Sequence, residues 1–208
     1  MTTPQALSEA DRRIVASWAA DCAERVLPLF EAQAAADDRA RDGIDRARAF
    51  GRGELDTAEQ IVTTNVLGPI RLVGAFVEHL QTRPRATIVT VSSGLAFAPL
   101  AATPTYDASK AAIHMLSEAL RLQLADTSVD VVELVPPSVA TDLMPGQRES
   151  AIAMPLDEFV TEVVELLRTQ PDAHEILVER VKFLRFGEAR GDYDDVVRTL
   201  NASDPHGR

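Results

Sequence analysis

Three side chains of this 208-residue sequence, Ser93, Tyr106 and Lys110, have types and spacing suited to moving a proton on or off an oxygen. Tyr106 and Lys110 lie four apart, so on a helix both project from one face, a turn apart. A phenol with a pKa of about 10 exchanges protons poorly at neutral pH, and a neighbouring ammonium favours its ionised form. Lysine can thereby make tyrosine an acid/base. Ser93 stands 106 − 93 = 13 residues upstream, a loop long enough to run from a strand end to a helix start, and its hydroxyl can orient a substrate oxygen. The chemistry this suits is carbonyl/alcohol interconversion. Of the 21 basic residues only Lys110 and Lys182 are lysine, and a site that keeps Lys among so many Arg uses a compact ammonium with an adjustable pKa.

The elements that must position these groups are legible around them. Residues 86–91, ATIVTV, form a β-branched run predicted to be a strand buried on both faces. A helix is predicted from Thr105 to Leu124 after Pro104, and a second strand over Val129–Val135, closed by Pro136 and Pro137. A helix over about Leu156–Leu167 and a strand over Glu175–Val178 follow. Ahead of them, apolar residues at three- and four-residue spacing from Thr57 to Leu80 predict one long amphipathic helix with two contact faces. Alternating helices and strands predict an α/β fold, a partial doubly wound, Rossmann-like parallel sheet of about three strands with flanking helices. Ser93 then falls at the carboxyl end of the first strand, where such sheets gather ligands.

Residues 1–55 predict a helical segment and residues 56–208 the sheet-containing domain. Ser8 and Asp11 make a capping pair before a stripe of Ile14, Trp18, Cys22, Val26 and Phe30, interrupted by Pro28. Residues 36–53, mixed in charge with three glycines, predict a short helix and a linker. Cys22 is the one cysteine, which excludes an intramolecular disulfide and a cysteine-based zinc site, and no metal site is expected. A net charge of −11, with arginines interleaved among acids, argues against a nucleic-acid partner. No apolar run long enough for a membrane and no secretion leader are read in the sequence, so the expectation is a soluble cytoplasmic protein.

The block TIVTVSSGLAFAPLAATPTYDASKAAIHMLSEALRLQL, residues 87–124, resembles the catalytic segment of the short-chain dehydrogenase/reductase family. In that family a serine thirteen residues ahead of Tyr-x-x-x-Lys steadies the substrate oxygen while the tyrosine gives or takes the proton. The resemblance assigns these roles to Ser93 and Tyr106, and to Lys110 contact with the nicotinamide ribose. The family's fourth member, an asparagine about 28 residues before the serine, matches Asn65, at 93 − 65 = 28, in TTNVLGPI. VPPSVATDL, residues 135–143, is similar to the segment that meets the nicotinamide amide, which places Pro136, Val139 and Thr141 there beside Tyr106 and Lys110. The stretch from Asp142 to Pro155 takes the place of a substrate lid, and Leu143, Met144, Ile152 and Met154 imply an apolar small-molecule substrate. The resemblance spans residues 57–201 and implies NAD(P) as cofactor and a homodimer through helices 57–80 and 104–125. The opening section faintly resembles bacterial immunity-protein-like helical domains.

One part of that pattern is missing. The glycines, at 43, 51, 53, 68, 74, 94, 146, 187, 191 and 207, make neither Gly-x-x-x-Gly-x-Gly nor Gly-x-Gly-x-x-Gly. The expectation is a truncated domain that keeps the nicotinamide and substrate side but lacks the amides that would hold the cofactor's diphosphate, so that NAD(P) binds weakly. Two function classes follow: an impaired NAD(P)-dependent oxidoreductase, or a non-catalytic binding or interaction protein built on a relic half-domain.

Overall fold

The computed structural model describes residues 57–202 except 142, 144 and 145, together with ten residues between Ala20 and Arg48. It divides into two compact units, Met1–Leu72 and Val73–Arg208. The expected Ser8 cap, Cys22 stripe and linker at 51–53 lie outside the described residues.

In the first unit the ten residues between Ala20 and Arg48 are all helical. Ala20, Leu27 and Ile44 bury together, and Arg48 bridges Asp21 at 3.1 Å and also pairs with Glu24. The long helix predicted from Thr57 is helical throughout but not uniform: α1 (Thr57–Val62) passes through a π-helical turn, Thr63–Leu67, into α2 (Gly68–Gln81). A π turn carries one extra residue per turn, so it rotates the apolar stripe that strict four-residue spacing would keep straight. Residues 58–81, 24 in number with mean hydropathy 1.3, also have the length and composition to cross a membrane, and none of that stretch is buried. This corrects the reading that no segment is long and apolar enough.

The second unit is built on β1 (Ala86–Val91), β2 (Val129–Val135) and β3 (Glu175–Leu177), all parallel, in the order β1-β2-β3. Parallel neighbours require crossovers, which α3 (Pro104–Leu124) and α4 (Leu156–Thr169) provide. Pro104 opens α3, where its missing N–H costs nothing and its fixed φ fits the first turn. Ile113, Ser117, Leu120 and Leu124 form the buried stripe of α3. Leu120 and Leu124 meet Val129 and Val131 of β2, with Val73, Val77 and Leu80 of α2 packed alongside. Val135, Val163, Ile176 and Val178 form a second core, joined by Val132, Leu134 and Phe159. Burying even one such Val or Leu side chain contributes about 1.5–3 kcal/mol, so these two clusters hold the helices to the sheet.

The prediction that β1 is buried on both faces fails for one face: Val89 is 51% and Val91 47% exposed, while Thr90 is buried. Among the described residues β1 has only β2 as a strand neighbour, and only the Ile88 and Thr90 side is covered by helices. Beyond β3, a 3-10 turn and the short helices α5 (Lys182–Arg185) and α6 (Gly187–Arg190) lead into α7 (Tyr193–Ala202), none of which the hydrophobic pattern announced. Asn201 of α7 accepts from Ala101 N–H at 2.8 Å and donates to the Pro99 carbonyl at 3.0 Å, pinning the loop that precedes α3.

Candidate active site

β1 ends at Val91, and the chain turns through Ser92 and Ser93 into a 3-10 turn, Gly94–Ala96. Ser92 N–H donates to the Leu134 carbonyl at 3.0 Å and Gly94 N–H to the Pro136 carbonyl at 2.9 Å, so the carboxyl ends of β1 and β2 stay side by side. Ser93 caps the 3-10 turn, its Oγ accepting from Leu95 N–H at 3.2 Å. The turn is tight: a Cβ on Gly94 would come within 2.7 Å of Leu184 and 2.9 Å of Val181. The loop then returns to α3 through Asp107, whose carboxylate accepts from Leu100 N–H at 2.8 Å and from the Thr103 hydroxyl at 2.9 Å. Burial nevertheless raises the Asp107 carboxyl above its ordinary range, and these two hydrogen bonds offset part of the shift.

This path brings Ser93 beside Tyr106, close enough for its hydroxyl to offset part of the effect of burial on the phenol. Lys110, one turn on, sits 5.5 Å above the Tyr106 ring and donates to the Val91 carbonyl at 3.0 Å. Ser93, Tyr106 and Lys110 therefore form one cluster at the carboxyl end of β1. Its electrostatics differ from the expectation that lysine lowers the tyrosine. Burial pushes the Tyr106 phenol up, the Ser93 hydroxyl pulls it partly back, and Asp107 adds to the rise. Burial pushes the Lys110 ammonium down. The ammonium is engaged with the Val91 carbonyl and the ring, and burial outweighs it in setting the direction of the phenol's shift. The arrangement favours the protonated, neutral phenol, the form that can give a proton.

Pro136 follows β2 directly and is half-buried. Val139 is buried and makes a parallel bridge with Met154, with Met154 N–H donating to Ser138 and Ala140 N–H to Met154, both at 2.8 Å. Thr141 Oγ1 accepts from Leu143 N–H at 3.4 Å. The bridge closes the segment assigned to the lid at its base. Met154 is a core residue packed with Val135, which corrects its assignment to an apolar substrate wall; Leu143 and Ile152 are exposed, and Met144 lies outside the described residues. Asn65 lies in the first unit, half-buried in the π-helical turn.

The cofactor that the resemblance implies fits this structure in part. The residues assigned to its nicotinamide side are present. For its diphosphate, a glycine turn open to the ligand is needed, and the described glycines do not make one. Gly94 and Gly187 are closed off by protein side chains, Gly68 is helical, and Gly146 and Gly191 occupy isolated turns with φ of 77° and 80°. Sequence reasoning missed two features here. A cavity of about 950 Å³ opens on another face of α3, lined by Leu95–Ala101, Asp107, His114 and Arg185 and not by Ser93, Tyr106 or Lys110. Beside it, His114 Nδ1 lies 2.8 Å from Glu133, which is fully buried in β2. The signal was available: Glu133 shares the inward phase of Val131 and Val135, and a carboxylate there requires a partner.

The model of short chain dehydrogenases matches residues 42–151, more than half of the chain, and that of Imm-5 like immunity proteins matches residues 5–63. The chain is 38% identical over 168 residues to the uncharacterized oxidoreductase DltE of Bacillus subtilis (strain 168), covering 78% of this chain and 66% of DltE. It is 33% identical over 90 residues to the NADPH-dependent 1-acyldihydroxyacetone phosphate reductase of Schizosaccharomyces pombe, covering 43% of this chain and 30% of that protein. Among solved structures, a short chain dehydrogenase from Burkholderia cenocepacia in complex with NADP superposes with a TM-score of 0.60 at 24% identity, over 69% of this chain and 61% of that one. The chain thus spans about two thirds of the length of the first of these relatives and about a third of the second. With this match and this fold, the chain belongs to the short-chain dehydrogenase family.

Proposed function

We propose that this chain is an oxidoreductase of the short-chain dehydrogenase/reductase type, acting on a carbonyl/alcohol with NAD(P) and impaired because its dinucleotide-binding half is missing. The observation that carries the reading is the cluster itself: Ser93 beside the Tyr106 phenol, with Lys110 over the same ring. Tyr106 gives its proton to the substrate oxygen, Ser93 holds that oxygen against the phenol, and Lys110 ties the helix start to the strand end. Asn65 serves the proton path, and Pro136, Val139 and Thr141 line the nicotinamide side. NAD(P) supplies the hydride when bound. Its diphosphate has no seat among the described residues, so the impairment lies in occupancy rather than in proton transfer. The substrate is a small, apolar carbonyl compound, and the protein acts in the cytoplasm.

The same reading takes the functional form as a homodimer through helices 57–80 and 104–125. It is supported by the exposure of Ile70 (44%), Leu72 (61%) and Phe76 (51%) on the first and of Met115 (64%) and Leu122 (83%) on the second. Apolar side chains of this size left in water on neighbouring helices favour association.

A second reading, a non-catalytic binding module on a relic half-domain, is favoured by the uncovered face of β1. The two separate by turnover. With NADPH supplied far above micromolar levels and a panel of apolar ketones, the oxidoreductase reading expects slow reduction. Tyr106→Phe, which keeps the ring and deletes the proton, abolishes it. Absence of turnover, or a fully active Phe variant, contradicts the assignment.

A further inference from the structure

We propose that His114, Glu118 and Glu133 form a divalent-cation site, suited to zinc, between α3 and β2. His114 and Glu118 are four apart on α3 and face one way, and Glu133 meets them from β2. One ligand atom from each, an imidazole nitrogen and two carboxylate oxygens, lies within 4.8 Å of the others. An imidazole with two carboxylates and one remaining position is a donor set that zinc accepts.

A second observation points the same way. Glu133 is completely buried, and while Oε2 is 2.8 Å from His114 Nδ1, Oε1 has no hydrogen-bond partner among the described residues. A buried carboxylate oxygen without a partner is costly. The surrounding charge does not remove that cost. Arg121 donates to Glu118 at 2.5 Å and approaches Glu133 Oε2 only to 3.8 Å. Arg185 also acts on Glu118 but is paired with Glu175 at 2.9 Å, so two guanidiniums face three carboxylates and a negative charge is left over. A metal ion held between the carboxylates and Nδ1 would both offset that charge and give Oε1 a partner.

The surroundings suit such a site. Arg121 is anchored on the Val131 and His174 carbonyls at 3.2 and 3.3 Å, so it can stay in place as a donor to a ligating carboxylate. Phe97 packs edge-on to His114 with ring centroids 4.6 Å apart and fixes the imidazole plane. The cavity that His114 lines gives a path from solvent. A cation here would clamp the helix that carries Tyr106 and Lys110 onto the central strand.

Zinc sulfate titrated into the untagged full-length chain, followed by calorimetry, tests this. Binding of one zinc per chain at micromolar or tighter affinity is expected. His114→Ala and Glu118→Gln each weaken it at least about tenfold, while His79→Ala, far along the sequence, leaves it unchanged. Glu118 is partly exposed, so its Gln variant folds and decides the question even where another variant fails to fold. Cobalt substituted for zinc adds a visible ligand-field spectrum of a four-coordinate nitrogen and oxygen site. No stoichiometric binding, or binding that survives both His114→Ala and Glu118→Gln, overturns the proposal.

Discussion

The Lys110 ammonium donates to the Val91 carbonyl at 3.0 Å, joining the first turns of α3 to the last residue of β1 across the loop that carries Ser93. Parallel pairing engages the Val91 carbonyl's neighbours with β2, but β1 has no described strand on its other side, and a side-chain donor there satisfies an edge carbonyl. The lysine therefore has a structural task in this chain as well as a place beside the phenol.

Because burial is the main influence on Tyr106, its phenolate should form above the ordinary 10.0. The sign for stability follows. Below pH 10 the phenol is neutral in folded and unfolded chains alike. As pH rises past 10 the unfolded chain releases a proton that the folded chain keeps, and stability falls. A near-ultraviolet titration of the wild type minus Tyr106→Phe should place the Tyr106 midpoint above 10. Lys110→Met should leave that midpoint above 10. A midpoint below 10 that rises on removing Lys110 would restore the simpler picture of lysine activation.

Gly94 tests how tightly the serine is held. An added Cβ would meet Val181, a fully buried and stiff β-branched side chain, at 2.9 Å. Gly94→Ala is expected to cost about 1–3 kcal/mol in chemical denaturation, the range for overpacking a filled site. A loss below a few tenths of a kcal/mol would show that the 3-10 turn has slack and that the position of Ser93 is not fixed by this packing.

For association, the expected outcome is a dimer by light scattering at tens of micromolar. Phe76→Asp combined with Leu122→Asp should convert it to a monomer without unfolding, since both side chains are more than half exposed. A clean monomer in the wild type, or a dimer indifferent to both changes, would remove helices 57–80 and 104–125 from the interface.

Much of this architecture was legible in the sequence. β1 and β2 were readable because six and seven consecutive residues rich in Val, Ile and Thr end at Ser92 and Pro136, and Ser93, Tyr106 and Lys110 were readable from spacing alone. What escaped the reading depends on long-range contacts. The exposed side of β1 cannot be seen in ATIVTV, because residues buried on one face and on two look alike when threonine is the only polar residue. The π turn at Asn65 has no hydropathy signature. Helices α5 and α6 have four residues each, too few for a periodicity, and are held by contacts such as Gly187 against Val196. The rise of the Tyr106 phenol comes from burial that a spacing rule does not report.

The central claim, a proton-transfer site without a seat for the cofactor's diphosphate, is tested most directly by titrating NADPH into the purified chain and following cofactor fluorescence. Each lost hydrogen bond to a charged group weakens binding by roughly 1.5–3 kcal/mol, so losing several shifts the dissociation constant by some orders of magnitude. No saturation through the micromolar range is predicted. A saturable curve with a dissociation constant near one micromolar would contradict the claim and would mean that the chain supplies an anion site without a glycine-rich turn.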